Sequence, residues 1–308
     1  MIGRRRRALA AALFAGAAVS AGAHDGSVPF NGADPDMEHA DGAWWIYPTG
    51  GDVLHAWTSR DLAVWRRGPA LLRLDAVGWI AQDGAPRHHL WAPDMVAADG
   101  RYLLYYSVGP QNPTPSRIGV ARCDGPAGPC TDSGRPLITG GNGFEAIDPA
   151  IFIDPHSGNR YLYAGGSAGA TLRVWLLTPD MVGIEREVPV ETPPFFTEGA
   201  FMHERNGVYY LSYSHGSWRH ASYSVHYAVS ASPTGPWHYK GPVLVSDGTR
   251  KGPGHHAFLH RPDNGRWLIA YHRWEGQTGD GPYRGQRQIK VQEIDYEADG
   301  SIRPIMMQ

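Results

Sequence analysis

Residues 206–216 read NGVYYLSYSHG, one of five stretches with the same cadence: a tight turn closed by glycine, then a run dense in Tyr, Trp, Leu and Ile. The others are DGAWWIYPTG at 41–50, DGRYLLYYSVG at 99–109, SGNRYLYAGG at 157–166 and NGRWLIAYHRW at 264–274. Their turn glycines, Gly42, Gly100, Gly158, Gly207 and Gly265, recur at equal intervals but for one shorter step, from Gly158 to Gly207. Asp-Gly, Ser-Gly and Asn-Gly between such runs signal hairpins, because these residues tolerate the positive φ of tight turns. Each copy therefore reads as the middle of an antiparallel meander, and a repeat of roughly sixty residues holds four strands. Amphipathic helical periodicity is nearly absent. The expectation is an all-β chain, a five-bladed β-propeller forming a single domain over residues 24–308. A β-sandwich or jelly roll also offers short strands and frequent turns, but it does not predict so long and even a repeat.

The N-terminal segment, 1–23, sets Arg4 to Arg7 before an apolar run, Ala8 to Ala18, and ends on Ala21-Gly22-Ala23. That is the pattern of a secretory signal peptide, cleaved after a small-x-small site. The apolar run is shorter than the ~20 residues that a spanning helix needs. The product is expected to be secreted or periplasmic, free of the membrane after cleavage, and a monomer. The 28 Lys and Arg nearly balance the 30 Asp and Glu, and the one basic run lies inside the signal. Nucleic acid is thereby a poor partner, and an uncharged ligand fits better. Cys123 and Cys130 bound a Gly/Pro-rich loop, CDGPAGPC; export to an oxidising compartment favours a small disulfide staple there over two free thiols.

In a propeller the innermost strand of each blade runs along the central channel, so its end aims side chains into a shared pocket. Upstream of each hairpin the chain supplies Asp34 in GADPD, Asp94 in LWAPD, Asp148 in AIDPA, Glu198 in TEGA and His255 in GPGHHA. Each precedes its turn glycine by a similar offset, with Asp94 nearest to its own. Singly, an Asp-Pro is an ordinary turn opener. Together, carboxyls confined in a ring raise one another's pKa, and glycoside hydrolysis uses that split: one protonated carboxyl delivers a proton while an ionised one activates water or attacks the sugar. Trp91 offers a flat face to a sugar ring, whereas Trp44, Trp45, Tyr102, Tyr161, Tyr209, Tyr210 and Trp267 are assigned to packing between blades.

The set ADPD, WAPD before YLLYYS, IDPAIFID, TEGAFMHERNGVYYLSYS and GPGHH with a later YHR resembles glycoside hydrolase family 43 from about Asn31 to Ile305. The resemblance implies an inverting hydrolase in which Asp34 is the general base, Glu198 the general acid and Asp148 a third carboxylate that tunes and orients the acid. Arg287, in GQRQIKVQEIDY, matches an arginine of the last blade that reaches the site. His255 matches a central histidine, a substrate-side residue which in many members lies beside a calcium ion or a water cluster. No cofactor is required on this reading; a structural calcium in the central channel, met through water, is the one metal implied.

The resemblance also implies a carbohydrate substrate, arabinan, arabinoxylan or their oligosaccharides. An exo-acting α-L-arabinofuranosidase is the preferred activity, with β-xylosidase, endo-arabinanase and galactofuranosidase as alternatives on the same fold. A retaining fructoside-cleaving propeller would carry Asn-Asp-Pro-Asn and Arg-Asp-Pro motifs where this chain has GADPD and AIDPA. A non-catalytic sugar-binding propeller would have no need of Asp148 and Glu198 together.

Overall fold

The computed structural model describes residues 29–167 and 169–308, and its strands fall into five antiparallel sheets. Residues 1–23, the proposed signal peptide, lie outside the described residues. Strand β1 (Phe30–Asn31) comes first. Blade I follows with β2 (Asp36–Ala40), β3 (Ala43–Tyr47), β4 (Val53–Ser59) and β5 (Arg66–Arg73). Blade II holds β6 (His89–Ala98), β7 (Arg101–Gly109), β8 (Arg117–Cys123), β9 (Cys130–Asp132) and β10 (Ile138–Thr139). Blade III is β11 (Ala150–Ile153) to β14 (Ile184–Val188), through β12 (Arg160–Ala164) and β13 (Arg173–Leu177). Blade IV is β15 (Glu198–Arg205), β16 (Val208–His215), β17 (Ser224–Ser230) and β18 (His238–Leu244). Blade V has β19 (Arg250–His260), β20 (Trp267–Glu275) and β21 (Gln288–Ile294), and takes its outer strand from the other end of the chain: β1 pairs with β21 and closes the ring.

The five turn glycines all have φ between +69° and +79°, the left-handed conformation their hairpins require. Each second strand is buried on both faces, which is why its sequence reads as a continuous apolar run rather than as an alternation. Neighbouring side chains point to opposite faces. Tyr106 enters the cluster with Tyr47 and Leu54 of blade I, while Tyr105 enters the one with Leu162 and Trp175 of blade III. Tyr213 likewise packs towards Phe152 and Tyr163, and Tyr210 towards Ile269 and Tyr271. Cys123 and Cys130 face each other across β8 and β9 and form a disulfide.

One arrangement recurs at the mouth of every inner strand. A residue with positive φ stands there: Asp34 (+50°), Ala92 (+41°), Asp148 (+56°), Gly199 (+60°) and His255 (+39°). Each turns its N–H to a side chain of the preceding blade. Ala92 N–H meets Thr49 Oγ1 at 2.9 Å, Asp148 N–H meets Ser107 Oγ at 2.8 Å, and His255 N–H meets Ser214 Oγ at 2.8 Å. Asp34 N–H reaches His272 Nδ1 of blade V at 3.1 Å. The position on blade III that corresponds to these acceptors falls at glycines, Gly165-Gly166, and there Gly199 N–H bonds the Asp148 carboxylate itself at 3.1 Å.

This register corrects one expectation. Asp94 is out of phase with Asp34, Asp148 and His255; the residue in phase is Ala92, two positions earlier. Asp94 instead corresponds to Asp36, and both tie inner strands sideways: Asp36 Oδ2 accepts Met95 N–H at 2.9 Å, and Asp94 Oδ2 accepts Ile151 N–H at 3.0 Å. Burial pushes both carboxyls up, Asp36 to about 7.

Ser107 is fully buried and is the partner of Asp148 N–H. Ser107→Ala should therefore orphan a buried donor and lower unfolding free energy by about 1–3 kcal/mol, read by urea titration. A loss below a few tenths would mean that the N–H finds another partner and that the handover between blades is not a structural tie.

Candidate active site

The mouths of the inner strands converge on a cavity of about 300 Å³ lined by Asp34, Asp148, Glu198, His255, Arg287 and Trp91, with Thr49, Gln111, Ile147, Ser167 and Trp218. Asp94 and the disulfide cysteines apart, the structure thus gathers every residue that the sequence singled out. A larger cleft, about 650 Å³, opens elsewhere, around Asn206 and Gly265. Its carboxylates are engaged in ordinary surface pairs, such as Asp295 with Arg266 and Arg303, so it holds no comparable chemistry.

Asp34 sits two residues upstream of β2. Its Oδ1 accepts from Arg287 Nη1 at 2.8 Å, and its Oδ2 accepts from Thr49 Oγ1 at 2.7 Å and, more loosely, from Arg287 Nη2 at 3.4 Å. His272 Nδ1 is 3.2 Å from Oδ1. That nitrogen is also 3.1 Å from the Asp34 N–H, and one tautomer cannot serve both contacts. With Nδ1 protonated the ring donates to the carboxylate and its Nε2 faces Arg287 Nη1 at 3.4 Å; with Nε2 protonated Nδ1 accepts the backbone N–H. Burial alone would raise the Asp34 carboxyl, but the Arg287 guanidinium and the hydrogen bond to His272 outweigh it and hold Asp34 well below the usual carboxylate range. Burial, reinforced by Arg287, keeps His272 neutral, its pKa pushed down to about 3.

Asp148 and Glu198 go the other way. Burial raises Asp148 well above an ordinary carboxyl, and the charges of Glu198 and Asp34 add to it. Burial also raises Glu198, while hydroxyl donors pull it partly back: Tyr223 OH to Oε1 at 2.8 Å and Ser167 Oγ to Oε2 at 2.9 Å. Gly166 makes room for this carboxyl, since a Cβ there would stand 2.4 Å from Glu198 Cβ. Asp148, by accepting Gly199 N–H, fixes the backbone next to Glu198. The site therefore sets one carboxyl held low by a guanidinium against two raised by burial around one cavity.

His255 lies between the walls, its Nδ1 3.7 Å from Asp34 Oδ1 and 3.5 Å from Asp148 Oδ2. Burial keeps it neutral against the pull of Asp34, with Arg287 adding to the depression. Beyond it His256 bonds Ser212 Oγ at 2.6 Å, and burial holds that ring neutral too. A calcium ion takes six to eight oxygens; around His255 the protein offers imidazoles, serine hydroxyls and carboxylates whose Asp34 Oδ1 and Asp148 Oδ2 are engaged by Arg287 and Gly199, so the calcium implied by the sequence would be met largely through water. Among the described residues no group of three or more His, Cys, Asp or Glu is placed to hold a metal.

Trp91 is half-buried, and Gly109 lies against its indole so closely that a Cβ would come within 2.1 Å of the ring. Trp218 is 42% exposed and covers Arg287, whose Cζ lies 4.7 Å from the ring centroid. Tyr105, Tyr271 and Trp274 are buried in the blades. Glu145 is committed to Ser116, and Glu204 lies at the far end of β15 from Glu198, so neither reaches the cavity. Sequence reasoning missed Thr49, Ser167, Tyr223 and His272 as site residues. The signal for Thr49 and His272 was their place at the exit of the second strand, equivalent to Ser107 and Ser214.

A family model described as Glycosyl hydrolases family 43 matches residues 27–302. A β-D-galactofuranosidase of Aspergillus niger is 32% identical over 295 residues, covering 89% of this chain and 82% of the relative. Xylosidase/arabinosidase 43A of Humicola insolens is 31% identical, covering 75% of this chain and 78% of its own length. Among solved structures, a β-xylosidase/α-arabinofuranosidase of the same family from a compost microbial metagenome, in complex with xylotriose and in calcium-free form, superposes with a TM-score of 0.71. It shares 26% identity and covers 90% of this chain and 98% of its own.

The Asp34–Arg287 pair gives a direct test of the electrostatics. Arg287→Met should raise the Asp34 pKa by at least ~1 unit, because the leading opposition to burial is gone. Carboxyl ¹³C NMR titration, with the Asp34 signal assigned by Asp34→Asn, reads the shift; an unmoved Asp34 would show that the histidines and Thr49 suffice.

Proposed function

This chain belongs to glycoside hydrolase family 43, and from that membership we propose that it is an inverting, exo-acting α-L-arabinofuranosidase that trims arabinose-containing plant polysaccharides or their oligosaccharides. The observation that carries the mechanism is the split on the two sides of one cavity: Asp34 drawn below the usual carboxylate range by Arg287, Glu198 raised by burial. That is how one pocket runs acid and base chemistry at the same pH.

Asp34 takes a proton from water as the water oxygen attacks the anomeric carbon, on the face opposite the leaving group. Glu198 gives its proton to the glycosidic oxygen as the old C–O bond breaks, so the released sugar has the inverted anomeric configuration. Asp148 acts through Glu198, by accepting the Gly199 N–H and so fixing the backbone beside the acid. Arg287 orients Asp34, and Trp91 offers its indole to the sugar. Exo action is supported by the cavity's volume, about 300 Å³, at the lower end of the ~300–1,000 Å³ range of ligand pockets and suited to one or two sugar rings. A furanoside is supported by the name of the A. niger relative, a β-D-galactofuranosidase, and arabinose by that of the H. insolens one, a xylosidase/arabinosidase; β-D-galactofuranoside hydrolysis is the second reading, favoured by the A. niger protein.

Aryl glycosides of α-L-arabinofuranose, β-D-galactofuranose and β-D-xylopyranose, followed by linear and branched arabinan, test the substrate. Preference for the xyloside would overturn the arabinofuranosidase reading. Proton NMR of early product should show the inverted anomer first; the retained anomer would exclude the mechanism.

Glu198→Ala should lower kcat/KM on natural glycosides by about 10²–10⁴-fold yet spare activated aryl glycosides, whose phenolate leaves without protonation. Asp34→Ala should fail on both classes, because every substrate needs water activated. Equal losses for Glu198→Ala on both classes would remove it from the acid role.

Export as a secreted or periplasmic protein is proposed from the Arg4–Ala23 pattern and is consistent with the Cys123–Cys130 disulfide. The intact mass of the exported product should correspond to a chain starting at His24.

A further inference from the structure

We propose, on the reading of Asp34 as the base and Trp91 as the platform for the sugar, that Thr49 is a positioning residue for both: one hydroxyl, bonded to the Asp34 carboxylate and to the N–H beside Trp91, sets the spacing between the group that activates water and the ring that carries the substrate. Each bond has one polarity. A backbone N–H cannot accept, so Ala92 N–H donates to Thr49 Oγ1, at 2.9 Å. Asp34 faces the guanidinium of Arg287, which has donors alone, and its carboxyl is held well below the usual range, so its Oδ2 accepts the Thr49 proton at 2.7 Å. The single hydroxyl proton is thereby committed to the base, and the hydroxyl oxygen to the neighbouring blade.

The backbone around Thr49 makes the same connection. Thr49 N–H donates to Ala33 O at 3.0 Å, so the residue grips the approach to β2 at Asp34 by main chain and side chain alike. On the other side, Leu90 N–H donates to Gly51 O at 2.7 Å, and Gly51 N–H to Leu90 O at 3.1 Å. Trp91 is thus tied to blade I at the residue before it and at the residue after it. The corner has no slack: a Cβ at Gly50 would stand 2.0 Å from Val53 O, and the Trp91 indole already rests against Gly109. The β-branched side chain of Thr49 is stiff at χ1, and it lines the cavity itself. Base and platform come from different blades, and this residue is where they meet.

Thr49→Val keeps the shape of the side chain and removes both bonds. The Asp34 anion loses a donor, so its pKa should rise by about half a unit to one unit and carry the acid limb of kcat/KM to higher pH. Arg287, His272 and His255 face the same carboxyl, with Asp148 and Glu198 beyond, and the substitution alters none of them. At the optimum kcat/KM should fall about ten- to hundredfold, with KM raised about three- to tenfold. In a Trp91→Ala background the same change should raise KM less than about twofold while moving the acid limb as far as before, because only the arm to Asp34 remains. Thr49→Ser keeps the hydroxyl and should stay within about threefold of wild type, with the acid limb unmoved. Thr49→Ala decides the matter if the valine variant does not fold. An unmoved acid limb, or a KM effect as large without Trp91 as with it, overturns the inference. Carboxyl ¹³C titration of Asp34 reads the first arm without turnover, so a wild-type protein inactive on every glycoside would sink the functional reading and leave that titration to judge the hydroxyl.

Discussion

The handover of an N–H from the mouth of each inner strand to the preceding blade is the constraint on which the site depends. A positive φ turns the N–H sideways, out of its own strand and towards a neighbour, and a buried donor left without that neighbour costs about 1–3 kcal/mol. Non-glycine residues accept such a conformation at roughly 1–2 kcal/mol each. Asp34, Ala92, Asp148 and His255 do so because the ring holds them there. The same twist that directs the N–H sideways directs the side chain of Asp34, Asp148 or His255 into the central cavity. Ring closure and active-site geometry are thus one feature of the backbone.

Once the side chains point inward, electrostatics separates them. All three carboxyls are desolvated, and desolvation by itself would raise the pKa of each. Among the described residues Arg287 is the one guanidinium lining the cavity, and both its hydrogen bonds to carboxylates go to Asp34. Asp148 and Glu198 receive neutral donors instead, a backbone N–H and two hydroxyls. A charged donor reverses the effect of burial, whereas neutral donors only temper it. The difference between base and acid is a difference in partners, since burial is common to both.

The even spacing of Gly42, Gly100, Gly158, Gly207 and Gly265 made the five blades legible, because hairpin chemistry is local and repeats with the fold. The carboxylates Asp34, Asp148 and Glu198 were legible for the same reason: each keeps a near-constant distance to its turn. Asp94 misled because Asp-rich strand starts hold two registers, one facing the cavity and one tying neighbouring strands, and its shorter offset to Gly100 belongs to the second. Phe30–Asn31, the strand that closes blade V, is too short to carry any periodicity. His272 and Tyr223 were hidden differently. They meet Asp34 and Glu198 from the adjoining blade or the next strand, far along the chain in the case of His272, in runs where aromatics otherwise serve packing.

Blade III is where the repeat breaks, and the break accounts for the acid. On the other four blades a hydroxyl or imidazole at the exit of the second strand receives the next blade's N–H; on blade III that place is Gly165-Gly166. A Cβ at Gly165 would stand 2.0 Å from Thr171 O and one at Gly166 2.4 Å from Glu198 Cβ, so neither place admits the acceptor that serves elsewhere. Asp148 fills the gap by accepting Gly199 N–H with its own carboxylate. It consequently sits beside Glu198 as a matter of structural need, and it fixes the backbone next to the acid. The exception to the fivefold pattern is therefore the place where the tie between blades and the placing of the acid fall on one side chain.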